Sequence, residues 1–355
     1  MSVLKFAIAA VLVGVLPCAV SAQIAPPADV KLSAKTATQA YYAARPEARI
    51  WQDKIAFAAL MSALEGLEAH GLDPDFYHRS ALADPDLSLE AREWLATDAW
   101  FTAAAHMVYG KLDAVTLEPD WTAAKRQADL PAMLDKVRTD GTIAGSFDAL
   151  APQQKGYKAL LSERARLMTV AEVEIVQIAA GELLRAGMSS ARVKTLQTRL
   201  MQLGVLAAGE VSGVMDAATV EAVKVFQTRA GLNDDGVVGA GTLGALNRGV
   251  QGQIEQVDVN LERWRWLPDE LGRRHLRANI ADFNVTAYKD GVAERTHLTI
   301  VGKTFRKTPV FSDEVDYIVL NPWWETPPSL ARADKLPLFK RDPAAVQRLD
   351  RKSVV

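Results

Sequence analysis

The sequence predicts a multidomain α+β protein made of three unlike blocks: an α-helical block, a small three-helix module and the incomplete opening of a β-rich domain. Three observations carry this reading. Apolar residues recur at helical spacing from about Thr36 to Ile178. The stretch from Ser189 to Asn247 repeats its own motifs. From about Leu276 the apolar period drops to two.

Residues 1–22 have the layout of a secretory signal peptide. Lys5 supplies the positive charge, residues 6–16 are apolar apart from glycine, and Val20-Ser21-Ala22 offers the small residues of a cleavage site. The apolar run falls short of the ~20 residues that cross a bilayer, which disfavours a membrane anchor. Pro17 stands before Cys18, where a lipoprotein would carry a small residue. Cleavage is expected near Gln23, leaving an exported chain with no membrane span. Cys18 is the only cysteine, so the mature chain would have neither disulfide nor thiol. It must rely on apolar cores, which 355 residues at 49% hydrophobic content can supply. With 41 Lys and Arg against 43 Asp and Glu, no strong field points to nucleic acid.

Residues 23–35 read as a Pro/Ala/Asp linker, and 36–185 as the helical block. Ala56, Ala59, Leu60, Ala63, Leu64 and Leu67 share one helix face, closed by a glycine stop at His70-Gly71. Further helices are expected over 89–109, ending at Gly110, over 130–137 and over 156–168. In the module at 189–247, Val193-Lys194-Thr195-Leu196-Gln197-Thr198-Arg199 is answered by Val223-Lys224-Val225-Phe226-Gln227-Thr228-Arg229. Gly213 to Thr219 is answered by Gly236 to Thr242 in the same way. Ser190 and Asp216 are placed as N-caps, with Gly204 and Gly231 just past the helix ends. Asp235-Gly236 makes the turn into a third short helix holding Leu243 and Leu246. Strands are expected over 276–280, 284–288 and 293–301, with a hairpin through Lys289-Asp290-Gly291, and again over 316–320. Too few strands follow to close a β domain.

Three sets of residues then suggest a family. The first is the module's V-x-x-L-Q-x-R-L-x-x-L-G opening from Val193, its Ala222-Val223-Lys224 and Phe226-Gln227 centre, and its D-G-x-x-G-x-x-T-x-x-A-L-N close from Asp235. These resemble the peptidoglycan-binding domain of bacterial wall enzymes. The second set is Val259-Asn260-Leu261-Glu262-Arg263-Trp264-Arg265-Trp266-Leu267-Pro268, Thr308-Pro309-Val310-Phe311-Ser312, and the run from Asn321-Pro322-Trp323-Trp324 through Pro327-Pro328-Ser329. It resembles the connector (248–270) and the start of the catalytic domain (271–349) of large periplasmic L,D-transpeptidases. The third, His70-Gly71-Leu72-Asp73-Pro74 with Gly110-Lys111-Leu112-Asp113, is similar to the scaffold domain of the same proteins. Residues 350–355 do not follow the pattern.

The resemblance implies a periplasmic enzyme that cross-links third residues of peptidoglycan stem peptides through a cysteine acyl-enzyme. The family's His-Gly and Ser-x-Gly-Cys stretch comes well after the Pro-Pro segment, so the catalytic Cys and His are expected beyond Val355. His275 and His297 do not fit that pattern, and the chain as it stands is expected to be truncated and catalytically silent. No cofactor and no metal is called for; the partners are stem peptides and glycan. The candidate wall contacts in the module are Gln197, Arg199, Gln227, Arg229 and Asp235, weighed against ordinary solvated helix positions. Trp323 and Trp324 are candidate substrate-side aromatics, while Trp264 and Trp266 read as packing between domains. A wall-binding protein without catalysis is the alternative. A zinc-dependent wall hydrolase fits less well, because no cluster of zinc ligands accompanies the module. Gly239-Ala240-Gly241-Thr242-Leu243-Gly244 matches the dinucleotide fingerprint only in form, since Asn247-Arg248-Gly249 ends the helix too soon. Asn233-Asp234-Asp235-Gly236 reads as a turn rather than a calcium loop, because Gly231 and Thr242 stand where that loop needs carboxylates.

Overall fold

The computed structural model describes residues 30–119, 121–169, 175–303, 306–320 and 328–345. The proposed signal segment and Trp323-Trp324 lie outside them. Two compact units are present, Met1–Val310 and Phe311–Val355. Among the described residues no helix is long and apolar enough to cross a membrane.

The first unit begins with five main helices: α1 (Lys35–Ala44), α2 (Lys54–Gly66), α3 (Leu89–Tyr109), α4 (Leu130–Asp140) and α5 (Lys155–Met168). Their starts follow capping chemistry. Asp53, Ser88 and Asp129 each accept a backbone N–H from the first turn of α2, α3 and α4. Gly71 ends the first helical hairpin in the left-handed conformation at φ 71°.

The helix α3 is buried on nearly every side, with Ala96, Ala99, Trp100, Ala103, Ala104 and Met107 inaccessible. It is therefore the axis of the core rather than an amphipathic flank. Two carboxylates on it, Glu93 and Asp98, are also buried, and each binds backbone from another segment. Glu93 accepts the N–H groups of Ile50 and Trp51 at 2.6 and 3.0 Å and the Tyr42 hydroxyl at 2.8 Å. Asp98 accepts the N–H groups of Ser33 and Ala34 at 2.9 and 2.8 Å, and His78 Nε2 lies 2.9 Å from it. The end of the expected linker is thus tied down at the entrance to α1.

A fourth part of this core arrives much later in the chain. Helix α9 (Val250–Arg265), the expected connector, inserts Ile254, Val257 and Leu261 into the same apolar cluster as α2, α3 and α5. Its polar face is locked as firmly. Asp258 pairs with Arg164 at 2.7 Å. Glu262 accepts the Leu112 N–H at 2.8 Å and the Trp266 indole N–H at 3.1 Å. Arg265, 1% exposed, donates to Glu262 at 2.7 Å and to the carbonyl of His70. The packing is close enough that a Cβ on Gly156 would overlap the Trp264 indole, and one on Gly110 would overlap Trp266. Trp264 and Trp266 are interface packing, as the sequence suggested.

Between α5 and α9 lie three shorter helices, α6 (Ala191–Gln202), α7 (Ala217–Arg229) and α8 (Ala240–Leu246). They enclose a separate core of Val193, Leu196, Leu200, Val223, Val238 and Leu246 among others. After α9 comes an antiparallel sheet of β1 (Arg274–Asn279), β2 (Asn284–Lys289) and β3 (Val292–Leu298), with β2 central. Asp290 and Gly291 both have positive φ, 48° and 76°, which is the geometry of a type I′ hairpin turn.

The second unit holds a helical stretch over Pro328–Leu330, Ala331–Lys335 and Leu336–Arg341. The strand expected over 316–320 does not form. Tyr317, Ile318, Val319 and Leu320 are 79, 82, 55 and 85% exposed, and among the described residues nothing pairs with them. A run of β-favouring apolar residues makes a strand only where a partner completes the ladder.

Two expectations follow from this packing. Replacing Arg265 by Met strands the buried Glu262 carboxylate, and the scaffold should lose about 3 kcal/mol or more. Calorimetry should show the loss in the scaffold transition while that of the separate α6–α8 core stays in place. The second concerns acid. Burial lowers the His106 pKa to about 4, helped by the Lys111 and Arg265 charges, and burial also lowers that of His70 despite its bond to Asp148. The unfolded chain then takes up protons that the folded chain refuses. Stability present above about pH 6.5 should fall as the pH drops toward 4, by up to about 3 kcal/mol for His106. Urea midpoints at pH 7, 5.5 and 4.5 check this, and His106→Gln should flatten the slope.

Candidate functional site

The α6–α8 module is built twice over on one plan. In the first half, the side-chain amide of Gln197 donates to Ser212 Oγ, the Val214 carbonyl and Thr219 Oγ1 at 2.9, 3.0 and 2.9 Å. Its oxygen accepts the Gly213 N–H at 2.8 Å. In the second half, the Gln227 amide donates to Asp235 Oδ1, the Val237 carbonyl and Thr242 Oγ1 at 3.0, 3.0 and 3.1 Å. Its oxygen accepts the Gly236 N–H at 2.9 Å. Both loops turn on a left-handed glycine, Gly213 at φ 75° and Gly236 at φ 73°. Each then lays down one short β-bridge, Ser189 with Val214 and Leu184 with Val238. The motif echo in the sequence is this repeated clamp.

The clamp changes the standing of three candidate residues. Gln197 and Gln227 are 3 and 1% exposed, and both ends of each amide are used inside the module. Arg199 is 5% exposed; its guanidinium binds the carbonyls of Leu246 and Arg248 at 2.8 and 3.3 Å, satisfying the end of α8. These side chains hold loops and a helix end, with their polar atoms engaged inside the module. Arg229 and Asp235 are exposed. Asp235 is nonetheless largely engaged: the Val237 N–H at 2.9 Å, and then Gln227, hold its carboxyl below the usual range. Arg229, on the last turn of α7, is the candidate whose guanidinium faces solvent. Leu196 is fully buried and Phe226 partly so, both in the core.

The residues His275 and His297 lie on β1 and β3. His275 stacks on Tyr288 at 4.8 Å and 10°, and its Nδ1 lies 3.0 Å from the Gly272 carbonyl. Neither is arranged as a base beside a nucleophile. The sheet enters from a fixed point, because Asp269 pairs with Arg126 at 2.6 Å and Gln154 donates to the carbonyls of Pro268 and Asp269, both at 3.0 Å. Sequence reasoning missed this anchoring. Its signal was the Glu262-to-Asp269 run of alternating charge and tryptophan, which reads equally well as a solvated linker.

Family comparison agrees with this layout. Residues 36–163 match a scaffold domain, residues 189–246 a putative peptidoglycan binding domain, and residues 273–352 an L,D-transpeptidase catalytic domain. A Haemophilus influenzae protein described as a putative L,D-transpeptidase is 33% identical over 89 residues, a quarter of this chain. The match spans 18% of that relative's length. The chain therefore carries segments similar to a scaffold, a peptidoglycan-binding and an L,D-transpeptidase catalytic domain, in that order.

Proposed function

We propose that this chain is the exported, wall-holding and mounting part of a peptidoglycan L,D-transpeptidase of the periplasm. The observation that carries the reading is the order of the three matches along one chain. The structure supports it by building the helix that leads into the third block into the core of the first. In the reaction, a cysteine thiolate attacks the carbonyl of the donor stem's third residue. A C–S bond forms, the C–N bond to the terminal D-alanine breaks, and a histidine that took the thiol proton returns it to the leaving amine. The side-chain amine of an acceptor stem then displaces the thiolate and completes the cross-link.

Cys18 is the only cysteine of this sequence and belongs to the proposed signal segment, so the reading requires a nucleophile that residues 23–355 do not supply. That same observation favours a second reading, in which the chain binds wall without catalysing anything. The two are separated by sequencing the locus past codon 355 and assaying the product of that frame. A transpeptidase should release D-alanine from tetrapeptide stems and carry a stem acyl group detectable by mass spectrometry, and a Cys→Ser variant should do neither. Residues 23–355 alone should release none. D-alanine release by those residues would overturn the assignment of the nucleophile.

Retention on purified sacculi tests the wall-binding half. Arg229→Ala should weaken retention without moving the melting temperature. Gln227→Ala strands the Gly236 N–H and should cost about 1–3 kcal/mol of module stability. Equal retention by wild type and Arg229→Ala would remove Arg229 from the binding surface.

A further inference from the structure

The β-sheet sets two cations opposite each other at one end of its central strand. The surrounding segment, residues 271–310, contains eight Lys and Arg against three Asp and Glu, of which Lys303, Arg306 and Lys307 follow the last strand of the sheet. Within that segment, Arg274 on β1 and Lys289 on β2 are register partners. The Asp290 N–H donates to the Arg273 carbonyl at 2.7 Å, which makes Arg274 and Lys289 a non-hydrogen-bonded pair. That is the arrangement in which facing side chains come closest, and like charges placed so are destabilising.

Nothing in the fold relieves the repulsion. Asp290, next to Lys289 in the chain, is taken by Arg273 at 2.8 Å. Arg274 and Lys289 are both exposed, and neither makes an ion pair among the described residues. Arg273, Arg274, Lys289 and Asp290 line an open hollow of about 390 Å³ beside the Asp290-Gly291 turn. Two uncompensated cations facing into one hollow suit a ligand carrying a compact oxyanion, which would bridge them with charge-assisted hydrogen bonds.

We propose that Arg274 and Lys289 form an oxyanion-binding site that takes a carboxylate of the peptidoglycan stem peptide. This rests on the wall-enzyme reading above. It adds a second wall contact, on the catalytic-domain strands and separate from the three-helix module. Bound at both places, a strand of wall would be held by two weak sites on one chain, which raises avidity without a tight contact at either.

The test uses residues 23–355 with three probes: a soluble muramyl tetrapeptide with free carboxylates, inorganic phosphate, and phosphatidylglycerol vesicles. Titration calorimetry at low salt should show the muramyl peptide binding. In the double variant Arg274→Gln, Lys289→Gln, that binding should weaken about ten-fold or more, while the protein melts at an equal or higher temperature. Stability gained with binding lost is a result that a purely structural pair would not give. Binding of phosphate but not of the peptide would keep the oxyanion site and move its source to a phosphate-bearing wall polymer. Binding of the vesicles alone would overturn the proposal in favour of a lipid surface. It would also fall if the double variant bound the peptide as wild type does, melted at a lower temperature, or if no probe bound. Sacculus retention on the same samples separates the two readings. Retention without binding of either soluble oxyanion removes this site and leaves the wall reading standing, and loss of both removes the wall reading too.

Discussion

The guanidinium of Arg265 is the interaction on which the scaffold depends. It is almost wholly inaccessible and joins the last turn of α9 to the carbonyl of His70, far away in the sequence. A buried charge of this kind is costly unless it is paired and hydrogen-bonded. Here Glu262 supplies the countercharge, the His70 carbonyl a neutral acceptor, and the Tyr157 hydroxyl lies 3.5 Å off. The neighbouring His70 fits the same constraint. Its Nδ1 lies 2.8 Å from the Tyr157 hydroxyl and its Nε2 2.9 Å from Asp148, a pattern met by a neutral ring with the proton on Nε2. Burial and the adjacent guanidinium both disfavour a second positive charge there. The histidine is therefore kept neutral chiefly by its burial, to which the arginine held by its carbonyl adds.

This lock explains how a separate three-helix module can interrupt a helical core. The chain leaves the scaffold after α5, builds a module with its own apolar centre, and returns as α9. Closing so long a loop costs only slightly more than closing a short one, because the entropy grows with the logarithm of length. What the return needs is specificity of register. Apolar contacts at Ile254, Val257 and Leu261 supply affinity, but Asp258, Glu262 and Arg265 fix which turn of α9 meets which partner. The two tryptophans seated over Gly156 and Gly110 leave no room for a shifted alternative.

Much of this was legible from residues alone, and the parts that were not share a cause. Helix ends at Gly71, Gly110, Gly204 and Gly231 and starts at Ser190 and Asp216 are local chemistry, which a sequence displays directly. The hairpin through Asp290-Gly291 is local in the same sense. The role of Gln197 and Gln227 was not legible at first sight, because a glutamine on a helix surface and one that clamps a loop 15 residues away look alike. The clue lay in the echo. A polar residue that recurs in both halves of an internal repeat, each time ahead of a glycine and a threonine six residues apart, more naturally serves the repeat than a ligand bound by the whole. The strand expected over 316–320 failed for the opposite reason: its pattern was right, but a strand is a property of two segments. Trp323 and Trp324 lie outside the described residues.

The basic residues of the β-sheet need an account of their own, because charges on strands have an ordinary explanation. Edge strands carry Lys and Arg to discourage pairing with other chains, and Arg274, Arg277 and Arg295 sit on β1 and β3, the two edges of this sheet. Arg277 has a further use, with its guanidinium 4.9 Å from the ring of Tyr288. Edge protection does not extend to Lys289, which is on the central strand β2 and already has a neighbour on each side. A lysine there guards no edge. Placed opposite Arg274 with the nearest carboxylate already engaged, it costs stability and returns none to the free protein. On the proposed reading the compensation comes from a bound oxyanion, and the hollow beside the two residues is where such a group would sit.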